Sequence, residues 1–286
     1  MRHKCLASFI VFILYFSISG LIMFAEVKDL AKAKTLIKVL AQSGIYEKLP
    51  QYAETLVNSQ NDPQTKTLTL GIAQSIDPKF IQSEIEKNAE PFLAYLNGKQ
   101  NLPNISFDLR SFKVKLQSKL PRDSSSQIFI TQIPDTYGLA QIKNPDQIFG
   151  RAKLTFKVIN YGYLVSLIVS ILMIIFLVLL GLSWWPAILR WVGWGIFLPA
   201  FSMLVFTFIS LAIPKILLGK YGTNLDPEII KMINPVIEAL NNATKTISLL
   251  YSGIISGLGF VLLFLSYILP HPPEPKPVAN PPSPTR

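Results

Sequence analysis

Hydrophobic and polar positions divide this chain unevenly. Apolar runs occupy residues 5–25, 161–182, 191–213 and 249–269, and a polar block, residues 26–160, separates the first run from the other three. A run of roughly 20 apolar residues crosses about 30 Å of hydrocarbon as a helix. The pattern therefore predicts a mainly α protein with four transmembrane helices and a helical domain between spans one and two. Inside the polar block the apolar positions recur with a helical period. Val27, Leu30, Leu36, Ile37 and Leu40 form an approximate stripe that continues the first span and stops near Ser43 and Gly44. Leu49, Tyr52, Leu56 and Val57 mark a short helix over 46–57. Asp77 before Pro78 starts a further helix: the carboxylate caps, and proline at the first position forfeits no needed N–H. It runs on Phe80, Ile81, Ile85, Phe92 and Leu93 to about Leu96, with a kink or split at Pro91, and ends at Gly98.

Residues 101–107 read as a loop or edge strand, 111–120 as a helix, 121–127 as a serine-rich flexible crossing, and 128–133 as a short strand or extended segment. Asn144, Pro145 and Asp146 restart a helix that continues through Phe149, Leu154, Phe156 and Val158 into span two. A second polar segment, 214–248, repeats the device. Leu225, Asp226 and Pro227 start an amphipathic helix over about 226–245, with Ile229, Ile230, Ile233, Val236, Ile237 and Leu240 on one face. It lies against the main domain or on the membrane surface before bending near Pro235 or Asn241 into span four; domain contact is favoured, because a helix lying on a membrane surface carries more lysine on its polar face. The tail, 270–286, is rich in proline and reads as extended polyproline II.

Only 15% of residues are charged, against about a quarter in a soluble domain, and the deficit sits in the four runs. The net charge is +10, yet lysines and arginines are scattered among acidic residues with no clustered stripe. That argues against nucleic acid and for attraction to anionic lipid headgroups. Arg2, His3 and Lys4 precede the first run, and positive residues near span ends stay cytoplasmic. Both termini are then cytoplasmic, and residues 26–160 and 214–248 extracytoplasmic. The first run is longer than the 7–15 apolar residues of a cleaved signal and lacks a clear small-x-small site before Glu26, so it reads as an uncleaved signal anchor. Trp184, Trp185, Trp191 and Trp194 cluster around Pro186 and Arg190, which places them as a membrane-interface belt at the turn between spans two and three; an aromatic cage is the alternative.

Candidate chemistry is sparse. Cys5 is the single cysteine, so neither a disulfide framework nor a thiolate metal cluster is available. His3 and His271 fall outside the domain, leaving it without an imidazole for a serine triad or a zinc site. Glu84, Glu86 and Glu90 are the best paired carboxylates, with Glu86 and Glu90 one turn apart, but Lys79 and Lys87 nearby make a solvated mixed-charge face the plainer reading. There is no Walker loop and no dinucleotide glycine pattern. No catalytic, cofactor-binding or metal-binding residue is assigned. The spans hold no charged residue away from their ends, which argues against a transporter or pump. Gly253 and Gly257, with Ser252, Ser256 and Gly259 beside them, offer a helix-packing face for another span of this chain or for a partner copy.

The order of parts, with Gly44-Ile45-Tyr46-Glu47-Lys48-Leu49-Pro50 after the first span and Ala94-Tyr95-Leu96-Asn97-Gly98-Lys99 closing the long helix, resembles a loose group of uncharacterised bacterial multi-pass membrane proteins. These share an N-terminal signal anchor, an extracytoplasmic helical domain and C-terminal spans. The resemblance covers most of the chain and implies a bacterial envelope setting. Some of the group carry cysteines in the outside domain, which this chain lacks there. The group has no assigned activity, so it transfers no residue roles. The expectation is a non-enzymatic envelope scaffold or sensor, with the lipid bilayer and other envelope proteins as partners. The alternatives are an accessory subunit of a membrane transport or secretion complex and, more remotely, an enzyme of envelope lipid or cell wall.

Overall fold

Four helices of the computed structural model are long and apolar enough to cross a membrane, the architecture of a multi-pass membrane protein. The structure describes residues 2–58, 63–100, 105–120, 124–138, 145–180, 185–210 and 227–269. The expected tail, Trp184, His271, Asn144 and the capping residues Leu225 and Asp226 lie outside them.

The long helices are α1 (Arg2–Leu30), α8 (Pro145–Leu180), α9 (Trp185–Ser210) and α10 (Pro227–Ile268). Between α1 and α8 the domain runs α2 (Ala33–Ser43), α3 (Ile45–Asn58), α4 (Pro63–Ser75), α5 (Pro78–Leu96), β1 (Ser106–Asp108), α6 (Arg110–Lys119), α7 (Ser124–Gln132) and β2 (Thr136–Gly138). β1 and β2 form a small antiparallel ribbon, with Phe107 opposite Tyr137.

In the bundle α1 packs against α8, α9 and α10, while α9 and α10 pack along each other. Its core is a ladder of Ala7, Ile10, Leu14, Ile18 and Ile22 from α1 against Leu177 of α8 and Ile188, Val192, Ile196 and Ala200 of α9. Hydroxyls pin the helices at intervals: Ser17 Oγ lies 2.5 Å from Ser170 Oγ, and Tyr15 Oη 2.9 Å from Ser202 Oγ. Such bonds are the polar glue of helices that cannot rely on the hydrophobic effect in lipid.

Two helices are much longer than a bilayer. At 1.5 Å per residue α8 extends about 54 Å and α10 about 63 Å, against roughly 30 Å of hydrocarbon. Each therefore carries several turns into the domain. α8 meets the end of α5, where Leu93, Tyr95 and Leu96 are buried against Phe149, Ala152 and Phe156 together with Ala33 and Leu36 of α2. α10 packs on α2 and α3, as the sequence predicts for the amphipathic segment. A second cluster, Leu116, Leu120 and Ile130 with Ile72, Phe112 and Ile133, joins α4, α6 and α7.

Local chemistry sets several boundaries. Gly44 ends α2 with φ +64°, and Ser43 closes the corner by donating to Leu40 O at 2.7 Å and accepting from Ile45 N–H at 3.3 Å. Asp77 caps α5 through the N–H of Lys79 at 3.0 Å. Other boundaries depart from expectation. Residues 124–132 form a helix, where the sequence predicts a crossing followed by a strand: Ser126, Ile130 and Ile133 recur at i, i+4 and i+7 toward the α6 cluster, and that packing outweighs the β-branched content. α4 has no counterpart among the expected elements, since its threonines and Gly71 are poor helix formers; burial of Ala73 and Ser75 holds it. α5 continues through Pro91 without splitting, and α10 is continuous through Pro235 and Asn241.

Candidate functional site

The break between α1 and α2 opens a cleft at the bundle–domain junction. Lys32 takes an extended conformation (φ −74°, ψ 141°), turning the chain between two helices. The end of α5 and the middle turns of α8 and α10 stand around that turn, and together they enclose an open cleft of about 870 Å³. From α1 and the turn come Ala25, Lys28, Asp29 and Lys32; from α2, Lys34; from the end of α5, Glu90, Leu93 and Asn97, with Lys99 just beyond. α8 supplies Phe156, Ile159, Asn160 and Tyr163, and α10 supplies Tyr251.

The polar groups are arranged unequally. Asp29 accepts the Tyr251 hydroxyl at 2.7 Å and is ion-paired with Lys32, so its charge is already engaged. Lys28 Nζ stands 4.3 Å from the centre of the Tyr163 ring, a cation–π contact. Asn160 donates to Asn97 Oδ1 at 3.0 Å, tying α8 to the end of α5. Lys34 and Lys99 are exposed and form no ion pair among the described residues. Gly98, with φ +70°, turns the chain so that Lys99 follows directly after α5. The cleft thus has a basic rim, one neutralised carboxylate and an apolar wall of Leu93, Phe156 and Ile159. Deeper in the bundle, Ser252 Oγ donates to Glu26 Oε1 at 3.5 Å, and Thr207 and Ser248 share a 2.5 Å hydrogen bond.

The three expected carboxylates do not share one environment. Glu84 is buried, correcting its place on a solvated face: its carboxylate accepts the Asp108 N–H at 3.1 Å and lies 3.7 Å from Lys87 Nζ. With Asn88, which donates to Ser106 O at 3.3 Å, it fastens β1 to α5. Glu86 is exposed and accepts from Gln82 at 2.8 Å, and Glu90 stands at the cleft. Among the described residues no group of three or more histidine, cysteine or acidic side chains could hold a metal ion.

The described tryptophans all lie on α9. α9 begins at Trp185, which is 61% exposed, so Trp191 and Trp194 lie about 9 Å and 14 Å further along the helix axis. Trp191 packs on the bundle core, and Trp194 stacks edge-on to Phe197 at 6.0 Å.

The glycine face differs from the expectation that it meets another span of this chain. A side chain built at Gly253 or Gly257 would have nothing within 4 Å. The close approach is at Gly259, where a Cβ would fall 2.6 Å from the backbone nitrogen of Phe197 in α9. Ser248, Ser252, Gly259, Leu263 and Ser266 form the buried stripe of α10, and at 100° per residue Gly253 and Gly257 stand roughly 115° and 155° away from it.

Sequence reasoning missed the cleft. The readable signal is Lys28, Lys32 and Lys34 directly after the first apolar run; the other walls come from segments more than fifty residues away in sequence. No protein-family model matches this chain, and comparison with curated proteins and with solved structures finds nothing similar to it.

Proposed function

We propose that this chain is a non-enzymatic envelope protein of a bacterial cytoplasmic membrane, in which an extracytoplasmic helical domain, held at a set position on a four-span bundle, serves as scaffold or sensor for a partner protein. One observation carries the reading: α8 and α10 each belong at once to the bundle and to the domain. A partner bound to α2, α3 or α5 therefore acts on helices that continue across the membrane, whereas a domain on a flexible linker would transmit nothing. The orientation rests on Arg2 and Lys4 before the first span.

Photo-crosslinking in intact membranes, followed by co-purification, tests the reading. Partners captured from exposed domain positions such as Lys38 and Lys79 support a scaffold or sensor. Partners captured solely from lipid-facing positions of α8 such as Ile168 and Ile175 would replace it with an accessory subunit of a membrane complex. Turnover of lipid or peptidoglycan fragments by the purified protein, abolished by Glu86→Gln or Glu90→Gln, would replace both with an enzyme.

A further inference from the structure

We propose that the junction cleft is a binding site for the phosphate headgroup of an anionic phospholipid. Its depth is the first argument. Lys28 follows the last residue of the first apolar run by three positions, and Tyr163 lies in the opening turn of the second run, so the cleft sits where hydrocarbon gives way to headgroups.

Charge is the second. Four lysines, Lys28, Lys32, Lys34 and Lys99, face the cleft against Asp29 and Glu90, and Asp29 is already taken up by Lys32 and Tyr251. The remainder is positive. Lys34 and Lys99 line the cleft from two different elements, α2 and the segment after α5, and neither is in an ion pair among the described residues. Tyr163 already carries Lys28 on its ring face, so that face is not open to the choline cation of a zwitterionic headgroup.

Shape is the third. At about 870 Å³ the cleft has the size of a small-molecule site. Its wall of Leu93, Phe156 and Ile159 gives the first acyl carbons below a bound headgroup an apolar surface to lie on. A free inorganic ion would use the basic rim and leave that wall unused. This inference stands apart from the partner protein proposed above, because it depends on the junction alone.

The test uses the full-length protein in a neutral detergent, with native mass spectrometry counting retained phosphatidylglycerol or phosphatidylcholine. The expected result is retention of phosphatidylglycerol over phosphatidylcholine, weakened about fivefold for each lysine removed in Lys34→Gln and Lys99→Gln. The control Lys38→Gln/Lys119→Gln, two exposed lysines away from the cleft, should keep full binding. All variants change exposed side chains, and unaltered melting temperatures check their fold. Equal retention of the two lipids, or equal loss in the control pair, would overturn the proposal. So would inorganic phosphate displacing phosphatidylglycerol at equimolar concentration, since the site would then take phosphate from solution.

Discussion

Tyr251 of the last membrane helix donates a 2.7 Å hydrogen bond to the carboxylate of Asp29 at the end of the first, across 222 residues of sequence. Asp29 also holds Lys32, the residue at which the chain turns into the domain. One carboxylate thus fastens the first span, the last span and the domain entrance. Tyr251→Phe removes this hydroxyl alone. We expect a destabilisation of about 0.6–2 kcal/mol, read as a lower melting temperature in detergent. An unchanged melting temperature would show that packing alone holds the junction.

Close packing of α9 on α10 depends on Gly259. Gly259→Leu forces a side chain into the Phe197 backbone and is expected to cost about 1–3 kcal/mol or more. Gly257→Leu faces open space and should stay within about 0.5 kcal/mol of the parent. Paired thermal unfolding of the two variants checks the rotation of α10: equal losses would place Gly257 in a packed interface after all.

Tyr46 is 2% exposed, and its hydroxyl is the one buried side-chain polar atom without a hydrogen-bond partner among the described residues. Burial, with Glu86 and Glu47 nearby, raises its ionisation above the ordinary tyrosine range. Tyr46→Phe keeps the ring and removes an unsatisfied group, so stability should be unchanged or rise by about 1–2 kcal/mol. A clear loss in chemical denaturation would mean that the hydroxyl has a partner.

Asp77 combines a cap with a charge pair. The hydrogen bond from Lys115, and after it the N–H of Lys79, hold its carboxyl below the ordinary value of 3.8. Asp108 is drawn lower, to about 2, chiefly by the Arg110 side chain. A depressed folded pKa contributes stability above the unfolded value and loses it as pH falls through the folded one. Domain stability should therefore decline between about pH 4 and pH 2, and Asp77→Asn, which retains capping ability, should flatten that decline. Asp77→Ala should cost about 1 kcal/mol more at neutral pH through loss of the cap. Melting temperatures across that range separate the two effects.

Orientation is checked with single cysteines in a Cys5→Ser background. A membrane-impermeant thiol reagent should label Ser111→Cys in intact spheroplasts and leave Ser283→Cys unlabelled until lysis. The opposite pattern would invert the protein and move the cleft to the cytoplasmic face.

Local composition carried the parts of this protein that need no distant partner. Four apolar runs specify four membrane-length helices, because hydrocarbon demands internally satisfied backbone and apolar side chains whatever lies beside them. Asp77 and Gly44 marked helix ends for the same reason: a cap is made with residues next in sequence. Tertiary packing decided the rest. It made 124–132 a helix, since Ile130 is buried and Ile133 half-buried in the cluster with Leu116 and Leu120 and not by a strand neighbour. It also chose the rotation of α10: Gly253, Gly257 and Gly259 are equally small in sequence, and only the phase of Ser248, Ser252 and Leu263 toward α9 and α1 turns Gly259 inward. The cleft is the extreme case. Lys28, Lys99, Tyr163 and Tyr251 come from four distant segments, and nothing local relates them until the bundle and the domain pack at one junction.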